Sequence, residues 1–171
     1  MTNNILKKIR PLPLILSLAA MGVTTLAISV KITGMDVYTL MTNFGVNQVT
    51  FSDLKQGKIK PILLIDVRDP DEYDLDHIQG SFLIPLTEIE SGNGQNKLLS
   101  LWRKYQKNNG QNLTVVLYCT KGVRSAKAYK LLEKTGLNLV NLKGGITTWR
   151  ENILRKEDKN ILNPIMISQD K

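Results

Sequence analysis

The residue of this chain best suited to chemistry is Cys119, its only thiol. It directly follows the apolar run Leu113–Tyr118, which predicts a buried strand, and a helical pattern comes after it. Gly122 permits the positive φ that a tight strand-to-helix turn needs, and Lys121 and Arg124 add positive charge. Amides at a helix start, the positive dipole end and nearby cations all favour a thiolate. This spacing therefore predicts a nucleophilic thiolate in an anion-binding loop.

A single cysteine has a plainer interpretation, because most free cysteines are inert, buried small side chains. With one cysteine the chain forms no internal disulfide and no all-cysteine metal site. With one histidine, His77, it forms no histidine-rich metal cluster. No metal and no cofactor are therefore expected. The agreement of position, glycine and basic residues around Cys119 favours the nucleophile over the inert thiol.

Apolar runs that alternate with helical patterns predict the elements that position this loop. The predicted strands are Val49–Phe51, Ile62–Ile65, Phe82–Ile84, Leu113–Tyr118 and Leu139–Leu142. The predicted helices are one capped by Ser52 and ending at Gly57, one opening at Pro70, Lys97–Lys107 after a loop at Ser91–Gly94, Ser125–Lys134 stopped by Gly136, and one that follows a turn at Gly144-Gly145 and runs through Trp149. This alternation predicts an α/β fold with a mostly parallel sheet covered by helices on both faces. Ligands of such sheets bind beyond the carboxyl ends of the strands.

Two charged residues follow the neighbouring predicted strand at the same edge as Cys119. Asp66 and Arg68 come directly after Ile62–Ile65. One interpretation is that Asp66 holds Arg68 or the amides of the cysteine loop in place. The other is that Asp66 only caps the end of the strand. Glu72 is expected to be structural, paired with Arg68 or with a backbone amide.

The N-terminal residues differ in character from the rest of the chain. Residues 12–30 are almost wholly apolar and, at about 1.5 Å per helical residue, long enough to cross a hydrocarbon core of about 30 Å. The basic flank Lys7–Arg10 predicts a cytoplasmic N-terminus and a single-pass anchor that places the remaining chain on the non-cytoplasmic side. The alternative is a signal cleaved near Ala27–Ser29, which leaves the protein secreted or periplasmic.

Composition supplies the remaining boundaries and one exclusion. The predicted division is 1–31 for the anchor or signal, 32–48 for a connector, 49–154 for the α/β domain and 155–171 for a C-terminal tail. The chain has 23 basic and 15 acidic residues, a formal net charge of +8. It has no stripe of lysine and arginine interleaved with aromatic residues, so no nucleic acid is expected as a partner.

Five short motifs follow one another in this sequence between Val49 and Asn152. They are Leu64–Arg68, Glu72-Tyr73, His77-Ile78-x-Gly80-Ser81 with Ile84-Pro85, Cys119-x-x-Gly122-x-Arg124-Ser125, and Gly144-Gly145 with Trp149. In this order they resemble the single-domain rhodanese, or thiosulfate sulfurtransferase, family. The resemblance implies a doubly covered parallel sheet. It also implies a cysteine that accepts a sulfane sulfur as a persulfide and passes it to a nucleophilic acceptor.

On this resemblance Cys119 is the sulfur-carrying residue. Substrate binding is assigned to Thr120, Lys121, Gly122, Val123, Arg124 and Ser125, and a supporting role to Asp66 and Arg68. Four residues separate Cys119 from Arg124, whereas the related phosphatases have Cys-x5-Arg, so the tighter loop favours a sulfur atom or thiosulfate over phosphate. His77 corresponds to a family histidine that stabilises a turn, and it is left out of the catalytic set.

The expected function is therefore that of a membrane-tethered sulfurtransferase. The resemblance implies small sulfur donors such as thiosulfate or persulfides, and a thiol or a protein as acceptor. The alternative is a non-catalytic rhodanese-like module that binds or senses a protein, against which the intact loop argues. A phosphatase is the third candidate, which the loop length disfavours.

Overall fold

The computed structural model describes residues 37–109 and 113–154. Within them the strands are β1 (Gln48–Val49), β2 (Ile62–Asp66), β3 (Phe82–Leu83), β4 (Thr114–Tyr118) and β5 (Leu139–Leu142). The helices are α1 (Val37–Thr42), α2 (Phe51–Lys55), α3 (Pro70–Leu75), α4 (Leu86–Glu90), α5 (Asn93–Asn109), α6 (Val123–Leu132) and α7 (Gly145–Leu154), with a 3₁₀ turn at Glu133–Thr135. The chain divides between Met41 and Thr42 into two compact units, and all five strands belong to the second.

The five strands form one sheet in the order β1-β5-β4-β2-β3, and every neighbouring pair is parallel. β2 and β4 lie at its centre and every residue of both strands is buried, as expected of continuous apolar runs. Their register pairs Asp66 with Tyr118. The carboxyl ends of β2 and β4 are therefore level with one another, which places Asp66 and Cys119 at one edge of the sheet.

Helices cover both faces of the sheet, as the sequence predicts. Leu63 and Ile65 of β2 pack on one face, in a cluster that includes residues of α4, α5 and α6. Leu64 packs on the opposite face, in a cluster with Phe51 of α2 and Trp149 of α7. Burial of each such large apolar side chain contributes about 1.5–3 kcal/mol. The predicted α/β fold with a doubly covered parallel sheet is confirmed.

The first strand and helix of the domain begin and end earlier than the sequence pattern predicts. The strand ends at Val49, and Thr50 rather than Ser52 is the N-cap of α2. The Thr50 hydroxyl accepts a hydrogen bond from the Asp53 amide, while the Asp53 carboxylate accepts one from the Thr50 amide. This reciprocal capping box commits Phe51 to the helix, so the predicted strand Val49–Phe51 is confirmed at Val49 and wrong for Thr50 and Phe51.

The segment around Gly94 is helical, although the sequence predicts a loop there. The unpredicted helix α4 precedes it, and α5 begins at Asn93 rather than at Lys97. Gly94 is buried, and a Cβ at this position would lie 2.7 Å from the backbone nitrogen of Ile89. The glycine therefore serves a close approach between two helices, and of the predicted loop Ser91–Gly94 only Ser91 and Gly92 lie between them.

Two terminal predictions fall outside the described residues. These are the membrane or signal segment at 12–30 and the tail at 155–171. Across residues 37–109 and 113–154, none of the helices has both the length and the apolar character that crossing a bilayer requires. The anchor, its orientation and the alternative of a cleaved signal stay predictions.

Candidate active site

Cys119 is the first residue after β4, and the loop that it begins is shorter than predicted. Gly122 has a φ of +101° and is the N-cap of α6, which begins at Val123 rather than at Ser125. The positive φ predicted for Gly122 is confirmed. Only residues 119–122 form the loop, and Arg124 and Ser125 lie in the first turn of the helix. Glycine makes this abrupt entry possible because the left-handed region costs it little.

Two hydrogen-bond donors converge on the sulfur of Cys119. The Gly122 amide lies 3.1 Å from Sγ and the Ser125 hydroxyl lies 3.4 Å from it. The residue is only 2% exposed, so the sulfur lies beneath the surface of the loop. Donors that point at a sulfur stabilise its charged form over its neutral form. The geometry is therefore suited to a thiolate or to a persulfide anion.

The carbonyl groups of the loop are bound to the start of α7. The Ile146 amide donates to the Cys119 carbonyl at 2.9 Å, and the Thr147 amide donates to the Thr120 carbonyl at 3.1 Å. The first amides of a helix have no partner within the helix, so the loop oxygens satisfy two of them. Gly145 makes this approach possible, because a Cβ there would lie 2.2 Å from the Cys119 oxygen.

Gly145→Ala is therefore expected to destabilise the domain by more than the cost of placing an alanine at a positive φ. Gly145 has a φ of +58°, where an alanine costs about 1–2 kcal/mol, and the clash with the loop adds to that cost. Gly136→Ala is the matched control, since Gly136 has a φ of +75° and a Cβ added there would meet no atom within 4 Å. Urea unfolding of both variants measures the difference. Equal losses would show that the close approach contributes nothing.

Arg124 binds carboxylates of α3 and its N-cap rather than pointing an unneutralised charge at the sulfur. Its guanidinium forms two hydrogen bonds with Glu72, at 2.6 and 2.8 Å, and one with Asp69 at 3.1 Å. It also donates to the Thr120 hydroxyl at 2.9 Å, which in turn donates to Glu72. Carboxylates therefore largely neutralise Arg124, although its charge still interacts with Cys119 as the sequence predicts. The hydrogen bonds of Arg124 connect the first turn of α6 with the cysteine loop and with α3.

Glu72 has one of its two predicted partners. Its carboxylate accepts a hydrogen bond from the Asp69 backbone amide at 3.3 Å, whereas the predicted pairing with Arg68 is wrong. The hydrogen bonds from Arg124 lower the pKa of Glu72 from its ordinary value to about 2. The same pair raises the pKa of Arg124. Both groups are therefore charged at neutral pH.

Stability is expected to depend on this pair in acid. The folded pKa of Glu72 lies below its ordinary value of 4.5, so its stabilising contribution is complete above that pH and is lost toward about pH 2. Because the side chain is 35% exposed, solvent screening limits the contribution to about 1 kcal/mol. Urea unfolding of the unmodified chain and of Glu72→Gln measures it. The two should differ most near neutral pH and approach each other as the pH falls toward 2; a constant difference would contradict the assignment.

Lys121 is the basic residue of the loop that stays available to an anion. It is exposed, and the structure gives it no ion-pair partner among the described residues. Val123, by contrast, is half-buried at the start of α6. Of the two cations predicted to act at the loop, Arg124 is neutralised by carboxylates and Lys121 is not. An anionic group that approaches the loop therefore meets the charge of Lys121.

Asp66 and Arg68 form a buried ion pair at the end of β2. Arg68 is 2% exposed, and its Nε and Nη2 donate to the Asp66 carboxylate at distances of 2.7–3.1 Å. Its Nη2 also donates to the Asp76 carbonyl, and the guanidinium lies 5.9 Å from the ring centre of Tyr118. Asp66 thus holds the Arg68 side chain, as the first interpretation predicts, and its Oδ1 also accepts a hydrogen bond from the Arg68 backbone amide at 2.9 Å, which caps the strand end as the second predicts. The pair fixes the strand end beside the loop.

His77 contacts a neighbouring side chain rather than the cysteine loop. Its Nδ1 lies 2.9 Å from the Tyr73 carbonyl, and its ring stacks on that of Tyr73 with centroids 4.0 Å apart. These contacts agree with the turn-stabilising role that the resemblance implies. Within residues 37–109 and 113–154 no cluster of histidine, cysteine and carboxylate side chains could hold a metal ion.

Sequence reasoning missed Asn141, which lies on β5 beside the loop. Its Nδ2 donates to the Gly122 carbonyl at 3.1 Å, and the residue is fully buried. The signal was a single polar residue inside the apolar strand Leu139–Leu142. The strand itself was predicted with the correct bounds, but its polar residue was not connected with the site.

The chain matches a known family over most of the described residues. Residues 50–152 match the Rhodanese-like domain family. The chain is 43% identical over 95 residues to the probable adenylyltransferase/sulfurtransferase MoeZ of Mycobacterium tuberculosis, a match that covers 55% of this chain and 21% of that protein. It is 33% identical over 82 residues to the thiosulfate sulfurtransferase PspE of Escherichia coli, covering 48% of this chain and 68% of that one. The chain thus matches only about a fifth of the length of MoeZ.

Solved structures support the same relationship at the level of the fold. Saccharomyces cerevisiae Ygr203w, a homolog of single-domain rhodanese and the Cdc25 phosphatase catalytic domain, superimposes with a TM-score of 0.57. The match covers 72% of this chain and 90% of that one at 20% identity, which establishes the fold and not the activity. The sequence match spans the sheet from β2 to β5, the cysteine loop and α7 in one stretch. The chain therefore belongs to the rhodanese-like domain family.

Proposed function

We propose that this protein is a sulfurtransferase that carries sulfane sulfur as a persulfide on Cys119. The observation that supports this most is the pair of donors on Sγ, one from the Gly122 amide and one from the Ser125 hydroxyl. These donors favour a charged sulfur, which is the nucleophilic form. The names of two relatives, a thiosulfate sulfurtransferase and an adenylyltransferase/sulfurtransferase, agree with the proposal.

The proposed reaction needs no proton transfer and no cofactor. The Cys119 thiolate attacks the outer sulfur of thiosulfate, the S–S bond of thiosulfate breaks, and its electron pair leaves with sulfite. The product is a persulfide anion on Cys119. An acceptor thiolate or cyanide then attacks the terminal sulfur, which regenerates the Cys119 thiolate and releases a persulfide or thiocyanate. Lys121, exposed beside the loop, attracts the anionic donor.

Incubation of the purified full-length chain with thiosulfate and cyanide tests the proposal. We expect thiocyanate to accumulate, and we expect intact-protein mass spectrometry without cyanide to show a gain of one sulfur atom at Cys119. A persulfide donor in place of thiosulfate distinguishes the two donor classes. If both donors give no thiocyanate and no sulfur adduct, the proposed sulfurtransferase activity is refuted.

One observation favours a second candidate, a non-catalytic module that binds or senses a protein. Cys119 is only 2% exposed, and a donor must reach a sulfur that lies below the loop surface. An unreactive thiol in the experiment above supports this candidate. A phosphatase has less support, because Arg124 already forms two hydrogen bonds with Glu72 and is not free to bind a phosphate dianion.

We also propose that residues 12–30 tether the domain to the non-cytoplasmic side of a membrane, with secretion or a periplasmic location after cleavage as the alternative. The apolar length and the basic flank support this. A membrane-impermeant thiol reagent tests it in intact cells, on a Cys119→Ser chain that carries Lys134→Cys at an exposed position. Labelling without permeabilisation is expected. Labelling only after permeabilisation contradicts the orientation.

A further inference from the structure

We propose that Asn141 is a positioning residue of the sulfur-carrying loop, and that Asn43, in the segment before β1, sets the orientation of Asn141. The proposal rests on the role proposed for Cys119. It adds a chain of hydrogen bonds that reaches the cysteine loop from the opposite side of β5. Among the described residues, the hydrogen-bond donors to the sulfur are the Gly122 amide and the Ser125 hydroxyl, and neither asparagine is one of them. Their effect on the thiol is exerted through Gly122.

The amide of Asn141 can take only one orientation. Its Nδ2 donates to the Gly122 carbonyl at 3.1 Å and to the Asn43 Oδ1 at 2.8 Å. A flipped amide would place an oxygen against the Gly122 carbonyl oxygen, which repels it. The Asn141 Oδ1 is buried and has no hydrogen-bond partner among the described residues. A buried polar atom without a partner is unfavourable. The two hydrogen bonds that Nδ2 donates are therefore kept although Oδ1 has no partner.

Gly122 transmits this orientation to Cys119. The same residue donates its amide to Sγ at 3.1 Å and presents its carbonyl to Asn141. The carbonyl also accepts the first hydrogen bond of α6, from the Ala126 amide. With a φ of +101° and no side chain to anchor it, Gly122 depends on the hydrogen bonds at its carbonyl for its orientation. Loss of the Asn141 bond should therefore turn the Gly122 amide away from the sulfur.

The segment before β1 fixes the other end of this pathway. The Asn43 carbonyl accepts a hydrogen bond from the Val46 amide, and the Asn47 carbonyl accepts one from the Asn141 amide. The segment is thus anchored to β5 by backbone and side chain at once. A chain of hydrogen bonds runs from Asn43 through Asn141 and Gly122 to the sulfur. Movement of this segment is therefore expected to change thiol reactivity.

The pH dependence of Cys119 alkylation by iodoacetamide tests the proposal on the full-length chain. The variants are Asn141→Ala and Asn43→Ala, and Asn138→Ala is the matched control. Asn138 lies just before β5. Its side-chain Nδ2 donates to the Thr114 hydroxyl at the edge of the sheet opposite the cysteine loop. In Asn141→Ala the alkylation profile should move to higher pH and the rate at pH 7 should fall on the order of 3- to 10-fold. Asn43→Ala should move in the same direction by less, and Asn138→Ala should match the unmodified chain.

Sulfur loading from thiosulfate supplies a second measurement. The rate constant for persulfide formation should fall in Asn141→Ala while the KM for thiosulfate stays unchanged, because Lys121 is untouched. A purely structural role predicts a lower midpoint of urea unfolding with an unmoved pH profile, which would overturn the proposal. If Asn141→Ala does not fold, Asn43→Ala carries the same test. Alkylation needs no sulfur donor, so the result decides the role of Asn141 even if the unmodified chain transfers no sulfur.

Discussion

Cys119→Ser is expected to abolish persulfide formation and thiocyanate production while the domain stays folded. A serine hydroxyl is not ionised near neutral pH and cannot accept sulfane sulfur as a persulfide. The serine oxygen can still accept the hydrogen bond that the Gly122 amide donates to Sγ, so that buried amide keeps a partner. We expect activity to fall at least about a thousandfold, since this residue alone forms the covalent intermediate. Thiocyanate assay and intact-protein mass spectrometry measure the loss.

A second variant separates chemistry from packing in this experiment. Ser125→Ala removes the other donor to Sγ and leaves the nucleophile in place. It should reduce the rate of sulfur loading without abolishing it. The chain has no other cysteine, so a sulfur adduct on Cys119→Ser would have no thiol to reside on. Thiocyanate production by Cys119→Ser would therefore disprove the proposed covalent carrier.

Asp66→Ala is expected to be the most destabilising single substitution near the site. It leaves the buried guanidinium of Arg68 with only its longer ion pair to Asp76, at 3.5 Å, and removing one partner of a buried ion pair costs about 3–5 kcal/mol. Urea unfolding at pH 7 measures the free energy. Because the pair also holds the end of β2 beside the loop, the rate of Cys119 alkylation should change in the same variant.

An exposed ion pair provides the comparison. Lys97 and Glu88 are 2.6 Å apart with side chains 56% and 34% exposed, so Glu88→Ala should cost no more than about 1 kcal/mol. The double substitution Asp66→Ala with Arg68→Met removes the buried guanidinium as well. It should recover part of the stability that Asp66→Ala loses. A cost for Asp66→Ala as small as that of Glu88→Ala would contradict the buried pair.

The central part of this fold was predictable because its signals are local. Ile62–Ile65 and Val115–Tyr118 are continuous apolar runs, and such runs in alternation with helices have few solutions other than a covered parallel sheet. The position of Cys119 follows directly, since the residue after a parallel strand lies at the carboxyl edge. The positive φ of Gly122 follows from its place between strand and helix.

The partners of the site residues were not predictable, because they depend on contacts between distant segments. Arg124 and Glu72 are 52 residues apart, and nothing in either local sequence distinguishes this pairing from one between Glu72 and Arg68. Gly94 shows the same difficulty in a helix, where a glycine typical of a loop instead permits close packing against Ile89. Tertiary packing overrode local preference at both places.

The bonds between the loop carbonyls and the start of α7 also restrict how this family member can diverge. The amides of Ile146 and Thr147 are satisfied by the carbonyls of Cys119 and Thr120, so the loop serves as the cap of the last helix. Insertion of one residue after Cys119 would shift one of these carbonyls out of reach and uncap α7. The scaffold thus restricts the length of the loop independently of the proposed sulfur chemistry. A roomier loop would also have to keep the close approach at Gly145, far along the chain.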